Sequence, residues 1–368
     1  MESIRVLHIG MSPNIGGLES FVINAHRNVD ANKVKFDFIN IYHSPLAFEA
    51  EHKKLGSKVY SITARKENPL RSYKELETLI QCEKYDFVHF HCMTYCWPEP
   101  IIIGSKSEKT QTIVHSHLTG FNSSTSKKEK ILHSIGKWRI RNKSFLRIAC
   151  GEQAGKWLFP NKKYQIIENG IDLQKYKFNS NNRKKIRRYY GINDTDILIG
   201  HVGNFSYQKN YQLLIEIFYE LYQKNRNYRL LLIGDERLAE KEKKIIHKLG
   251  LEKQVCFTGL IDNVNECYSA MDLFLFPSFY EGLSIAMVEA QTAGLPCFVS
   301  NKLDKKTNVG GRFYEIDIDT KAENIADYII NHYDGDDDRS NIEIDERYDC
   351  RQAGLKLQKF YEEHLLKG

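Results

Sequence analysis

The sequence predicts an α/β protein built from two doubly wound, mainly parallel sheets. Short β-rich apolar runs alternate with amphipathic stretches along all 368 residues, the pattern of successive strand–helix units. That length suffices for two ordinary cores. A hydrophobic content of 42% and a charged content of 27% are those of a globular chain and exclude a disordered one.

Ile4–Ile9 holds an apolar run too short for a signal peptide and ends in a glycine-rich loop, so Arg5–Ile9 reads as a first strand. Leu18–Asn28 follows as a helix. Lys35–Ile41, Lys58–Ile62, Phe87–Phe90, Thr112–Ser116, Leu146–Ala149 and Gln165–Ile167 carry the β-branched and aromatic residues of further strands. Ser72–Cys82, Lys127–Arg141 and Glu152–Leu158 have helical spacing between them. The segment Asn169–Tyr176 and the polar run Asn179–Lys185 hold turn formers and little periodicity, as a hinge requires.

Beyond the hinge, strands are expected at Ile197–Val202, Tyr228–Ile233, Gln254–Phe257, Leu273–Phe276 and Pro296–Val299. Helices are expected at Tyr211–Lys224, Lys241–Leu249, Val264–Ala270, Ile285–Ala293 and Lys321–Ile330. Asp317-Ile-Asp319 reads as a helix cap and a solvated strand end, not a metal site. Asp345–Leu366 is a long helix with Ala353, Leu357, Phe360, Tyr361, His364 and Leu365 on one face, suited to packing across both halves. The expected division is 1–170, 171–344, and a C-terminal helix at 345–368 returning toward the first domain.

No apolar run approaches the roughly 18 residues that cross a bilayer, so cytosolic residence is the default. The eight cysteines fall mostly inside apolar runs, as reduced core thiols do. His89, His91, Cys92 and Cys96 imitate a metal cluster. Yet the cysteine pair lacks a second pair at zinc-finger spacing and the histidines alternate along a strand, so no metal site is expected. The net charge of +6 concentrates at Lys127–Arg147, where Ile131, Leu132, Ile135, Trp138 and Ile140 recur at helical spacing. Two readings stand together: a helix that docks on an anionic membrane, or a Lys-rich surface helix whose apolar stripe packs on its own domain. No nucleic-acid-binding motif accompanies the patch.

The stretch Pro277–Pro296 carries the most chemistry. Glu281 and Glu289, with seven residues between them, flank a glycine turn that opens an apolar helix directly after a strand. Such a turn offers unpaired N–H groups and a helix N-terminus to phosphate. Two acceptors beside a row of donors suit a sugar nucleotide, which has both diols and phosphates. Gly16-Gly17 forms a similar turn after the first strand, though without a dinucleotide fingerprint. Asn204-Phe-Ser206-Tyr-Gln-Lys209 is a third turn of this kind, with a cation at a helix start. His115 and His117 end a strand at the sheet edge where open α/β folds bind ligands.

In this order the segments resemble the retaining glycosyltransferases of family 4, also called group 1, with the GT-B fold. Gly259-Leu-Ile-Asp262, Ala270-Met-Asp272 through Pro277-Ser278, Glu281-x7-Glu289, Gly294-Leu-Pro296 and Asn169-Gly-Ile-Asp172 carry the likeness. The resemblance implies two Rossmann-like domains facing across a cleft, with the C-terminal helix crossing between them. It implies that Glu289 accepts the ribose hydroxyls and that Glu281 lies near the transferred sugar and diphosphate. Gly282, Leu283 and Ser284 would hold sugar and phosphates, and Lys209 the diphosphate charge. Gly16 and Gly17 would close on the donor, with His117 beside the reacting sugar.

The same likeness implies transfer of a hexose or N-acetylhexosamine, without metal or cofactor, from a UDP-linked donor. The implied acceptor is a lipid-linked glycan in capsular or exopolysaccharide synthesis at the inner face of the plasma membrane. The family's usual arginine is replaced by Asn204 here, so a neighbouring donor such as Ser206 or a nearby basic residue would have to compensate. Two other readings remain: a sugar-nucleotide epimerase or phosphorylase of GT-B type, and a catalytically silent sugar-nucleotide-binding partner subunit.

Overall fold

The computed structural model describes residues 3–121, 125–281, 284–333, 335, 338–339 and 342–366. They form two units, the first comprising Met1–Ile171 with Arg347–Gly368 and the second Asp172–Glu346. The chain therefore enters the second unit once and returns to the first with its last helix.

In the first unit the strands are β1 (Ile4–Ile9), β2 (Val34–Asn40), β3 (Val59–Ser61), β4 (Phe87–Cys92), β5 (Gln111–Ser116), β6 (Leu146–Ala149) and β7 (Gln165–Ile166). The helices are α1 (Gly17–Asn28), α2 (Glu49–Lys54), α3 (Pro69–Cys82), α4 (Glu99–Gly104), α5 (Lys127–Arg139) and α6 (Glu152–Leu158). The sheet runs β3-β2-β1-β4-β5-β6-β7, and its strand pairs are parallel. This is the order of a doubly wound sheet whose connections cross on both faces. One face packs Phe21, Val22, Leu357 and Tyr361 against Val6, Phe36 and Phe87. The other packs Leu76, Ile80 and Ile101 against Leu7, Val88 and Val114.

The second unit repeats the plan. Its strands are β8 (Ile197–Val202), β9 (Tyr228–Ile233), β10 (Val255–Phe257), β11 (Leu273–Phe276), β12 (Cys297–Ser300) and β13 (Phe313–Ile316), in the order β10-β9-β8-β11-β12-β13. Its helices are α7 (Leu173–Tyr176), α8 (Ser180–Tyr189), α9 (Tyr211–Lys224), α10 (Glu240–Lys248), α11 (Val264–Ala270), α12 (Ile285–Thr292) and α13 (Ala322–His332). Strand β11 is buried along its whole length, as a central parallel strand with both faces covered must be. The last helix, α14 (Cys350–His364), belongs to the first unit and buries Ala353, Leu357, Phe360 and Tyr361 there.

Two local expectations change. The polar run Asn179–Lys185 is not irregular but the cap and first turns of α8, with Asn179 accepting from Asn181 and Asn182 N–H. Its helix is anchored by charge: Arg187 meets the buried Asp272 at 3.0 Å and Arg183 at 2.5 Å, while Asp272 also accepts from Leu198 N–H at 2.6 Å. Asp317 and Asp319 do end a strand, but they do not cap α13, whose N-cap is Lys321. They pair instead with Asn301 and Lys302.

The face of the first sheet that packs against α1 and α14 holds an unusual core. His8, His89, His91 and His115 are buried on β1, β4 and β5, with His117 just beyond β5 and His26 and His52 beside them. Burial holds His8, His89, His91 and His115 neutral far below the usual imidazole range, and lowers His117 and His52 to about 3 and His26 to about 4. A lowered pKa means that the unfolded chain binds protons below about pH 6.5 that the folded chain refuses. Stability from this source is complete above that pH and falls as pH drops through it, by up to about 1.4 kcal/mol per pH unit for each group. Thermal unfolding followed between pH 7.5 and 5 should show a steep loss of midpoint on the acid side; a flat profile would contradict the neutral cluster.

Candidate active site

In the second unit the loop after β8 is held against the segment after β11 by short, specific contacts. Tyr211 Oη donates to Gly203 O at 2.8 Å, Asn210 Nδ2 to Pro277 O at 3.2 Å and Phe279 N–H to Gln208 O at 2.9 Å. A side chain at Gly234 would strike the Gly203 carbonyl, so the adjacent strand end must be glycine for the loop to sit there. Ser206 starts a single 3-10 turn, Tyr207–Lys209, and both Asn204 and Ser206 are exposed.

This bracing sets Lys209 in place. Its ammonium lies 2.8 Å from Glu281 Oε1 and 4.5 Å from the centre of the Phe276 ring, with both charged side chains largely covered. The aromatic face and the carboxylate together hold a cation at the end of β11. An anion arriving here meets a positioned ammonium. The same anion would release one Glu281 oxygen to accept from hydroxyl groups.

Gly282 and Leu283 lie outside the described residues. Helix α12 begins at Ile285 with Ser284 as its buried N-cap, whose side chain makes no capping bond. The first N–H groups of such a helix have no partner within it. Glu289 therefore stands one turn inside the helix, and Glu281 stands before it rather than on it. Tyr268 Oη donates to Glu289 Oε2 at 2.8 Å, and the Tyr176 hydroxyl also bonds this carboxyl. Burial raises the Glu289 carboxyl to about 7, against the opposing pull of the two phenols. A carboxyl poised there changes its acceptor capacity around neutral pH. Tyr176 and Tyr268 carry no motif of their own, which is why the spacing of acids and glycines did not reveal them; Phe276 lies within the Ala270–Ser278 stretch, but its part at Lys209 was not legible there.

The remaining expected residues lie in the first unit. Gly16 and Gly17 are exposed at the N-terminus of α1, where Gly16 is the N-cap. The buried Glu19 carboxylate braces their loop, accepting from Ser12 N–H at 3.0 Å and Ser12 Oγ at 2.7 Å. Gly10, at φ 106°, lets β1 turn into that loop where a side chain would meet the His91 carbonyl. His117 is part-exposed just past the end of β5, bonded through Nε2 to His91 Nδ1 at 2.9 Å.

Helix α5 begins with a capping box formed by Ser126 and Glu129. It faces inward with His133 and Gly136, while Ile131, Ile135 and Trp138 remain 59%, 48% and 63% exposed. These three share one face at i, i+4 and i+7. Ile140 of the same stripe is buried in the core of the first unit and Leu132 is partly covered, so one part of the stripe packs on its own domain while the other stays in solvent. No described helix is long and apolar enough to cross a membrane.

Known proteins share the family pattern and the fold. Residues 182–343 match the family described as Glycosyl transferases group 1. EpsF of Bacillus subtilis (strain 168), assigned as a glycosyltransferase, is 29% identical over 313 residues, 83% of this chain and 81% of its own. The UDP-Gal:alpha-D-GlcNAc-diphosphoundecaprenol alpha-1,3-galactosyltransferase of Escherichia coli is 24% identical over 315 residues, 81% of this chain and 79% of its own. Among solved structures, Anabaena Alr3699/HepE in complex with UDP and glucose superposes with a TM-score of 0.74 at 17% identity, covering 98% of this chain and 100% of that one. Residues 182–343 thus carry the group 1 glycosyltransferase match, on a chain whose two Rossmann-like parallel-sheet units have the GT-B fold.

Proposed function

We propose that this protein is a retaining transferase that moves a hexose or N-acetylhexosamine from a UDP-sugar to a lipid-linked glycan, in capsule or exopolysaccharide synthesis. The observation that carries the reading is the Lys209–Glu281 pair at the end of β11, followed by a helix whose Glu289 is gripped by two phenols. The names of the relatives support the substrate classes: one is a galactosyltransferase acting on a diphosphoundecaprenol-linked sugar, and another protein of this fold was crystallised with UDP.

In this reading the bond between the anomeric carbon and the diphosphate oxygen breaks, and a bond to the acceptor oxygen forms on the same face. The acceptor's proton leaves with the diphosphate or a nearby base. Negative charge grows on the departing diphosphate as the sugar becomes oxocarbenium-like. Lys209 and the free N–H groups at the start of α12 stabilise that charge more as it develops than in the bound donor. Glu281, released from the ammonium, accepts sugar hydroxyls, and Glu289 accepts the ribose diol. These residues supply the positive field themselves, so turnover needs no added divalent cation. A silent sugar-nucleotide binder is the second reading, favoured by the exposed Asn204 where the family's arginine would stand.

Docking on an anionic membrane completes the proposal. Exposed Ile131, Ile135 and Trp138 would enter the interfacial region while Lys127, Lys128, Lys130 and Lys137 meet the headgroups. Arg139 is partly committed to Glu99, at 2.7 Å, so it is not the residue to reverse.

Loss of the ammonium in Lys209→Ala removes a charge-assisted contact of about 1.5–3 kcal/mol, so kcat/KM should fall about ten- to a hundredfold. Donor binding with no turnover in the parent protein, whatever acceptor is supplied, would instead establish the silent binder. Because the ionised Glu289 accepts both ribose hydroxyls, UDP should bind more tightly as pH rises through about 7. Calorimetry in buffers of different ionisation heat should show proton release on binding, and Glu289→Gln should abolish the pH dependence. Sedimentation with anionic vesicles at low salt should retain the parent protein and lose Lys137→Glu/Trp138→Ser; equal sedimentation would end the membrane reading.

A further inference from the structure

The histidines on the face of the first sheet that packs against α1 and α14 take no part in the chemistry just proposed. They are organised into two imidazole chains. In one, Tyr361 Oη lies 2.6 Å from His89 Nδ1, and His89 Nε2 lies 3.2 Å from His115 Nδ1. The other runs from His8 Nδ1 to His91 Nε2 at 2.9 Å, and from His91 Nδ1 to His117 Nε2 at 2.9 Å. Both chains run toward the carboxyl ends of β4 and β5. Their outer members converge, since one ring nitrogen each from His91, His115 and His117 lies within 4.8 Å of the others.

Hydrogen bonding satisfies that convergence only in part, through the contact between His91 Nδ1 and His117 Nε2. His115 Nε2 is buried with no partner, and so is His117 Nδ1. A buried polar nitrogen left unmatched is costly. The tautomers show what would match it. If His115 Nδ1–H donates to His89 Nε2, then His89 Nδ1–H donates to Tyr361 Oη and His115 Nε2 is left as a bare lone pair facing the gap. If His91 Nε2–H donates to His8 Nδ1, His91 Nδ1 is an acceptor too, taking the hydrogen bond from His117 Nε2–H. Two of the three inner nitrogens are then acceptors whose rings are each oriented by a second residue, the arrangement found behind metal-bound imidazoles.

We propose that His91 Nδ1, His115 Nε2 and His117 Nε2 form a three-imidazole site for a borderline divalent cation such as Zn²⁺. An all-nitrogen donor set selects Zn²⁺, Cu²⁺ or Ni²⁺ over Mg²⁺, Ca²⁺ or Mn²⁺, which prefer oxygen. Tetrahedral zinc at about 2.0–2.1 Å from each nitrogen separates its ligands by about 3.3 Å, a spacing reachable from the present one by small ring rotations. Cys92 is no competitor, because its thiol is directed to Thr94 O and burial raises its pKa out of the thiolate range. His117 is part-exposed at the sheet edge, which gives an ion a path in and leaves a fourth position open. Binding forms three nitrogen–metal bonds, breaks the His91–His117 hydrogen bond and releases no proton if each ring stays neutral. The site is separate from the Lys209–Glu281 pair and does not rest on the transferase reading.

The test uses the full-length protein stripped with a chelator and then titrated with Zn²⁺ and, separately, Co²⁺. The expected results are one Zn²⁺ per chain, a higher thermal midpoint than the stripped protein, and the intense visible bands of Co²⁺ in a low-symmetry nitrogen site. His117→Gln should weaken Zn²⁺ binding at least about tenfold and bleach the Co²⁺ bands, and His89→Gln, acting on ring orientation alone, should weaken it about 10–100-fold. Should either variant fail to fold, the stoichiometry and Co²⁺ spectrum of the parent decide. Zn²⁺ uptake equal in parent and His117→Gln, or a Co²⁺ spectrum like that of the aqueous ion, would overturn the assignment and leave a neutral stacked core.

Discussion

The carboxyl-terminal edge of a parallel sheet is the constraint on which both units depend. Every strand there ends in the same direction, so backbone N–H groups and the first residues beyond each strand collect along one rim. In the second unit that rim brings Lys209, after β8, to Glu281, after β11. In the first it brings His91 and His115, register partners on β4 and β5, to His117. Different chemistry gathers at equivalent places because the topology gathers whatever the strands end in.

Burial then sets the protonation of what is gathered, and it works in opposite directions on acids and bases. The Glu289 carboxyl is raised to about 7 because its charged form loses water, while the imidazoles of the first sheet are lowered because theirs does. In both cases the neutral form is favoured, but with different consequences. A nearly neutral carboxyl between two phenols can switch its acceptor strength at working pH. A set of neutral imidazoles behaves as packed aromatic surface with lone pairs, stacked on one another and meeting Phe36 and Phe21 edge-on. The ion pair of Asp272 with Arg183 and Arg187 is the contrasting case, where buried charges are paired and tie α8 to the start of β8.

Strand and helix periodicity were readable along most of the chain, and β6, β8, β9, β11, α6, α9 and α11 begin and end where the apolar pattern does. The short elements α2, α4, α7 and β13 were not, since four to six residues hold too little periodicity to register. Helix α8 was missed for another reason: its stability lies in arginines reaching a buried aspartate nearly ninety residues away, and its local composition is that of a loop. For the candidate site, Glu281, Glu289 and Lys209 stood out because acids, glycines and a cation recur around strand–turn–helix junctions. The tyrosines that grip Glu289 did not, because they come from α7 and α11.

By itself the sequence determined the two-sheet class, the order of the units, the group 1 signature and the residues with the chemistry for a sugar nucleotide. Those properties are local, written in periodicity and in spacing along the chain. Only the tertiary structure decided which residues share an environment: that Ile131, Ile135 and Trp138 stay in water, that Glu289 faces two phenols, and that histidines from β1, β4 and β5 meet on one face. Register between distant strands is set by the packing of whole sheets, and no spacing within one segment contains it.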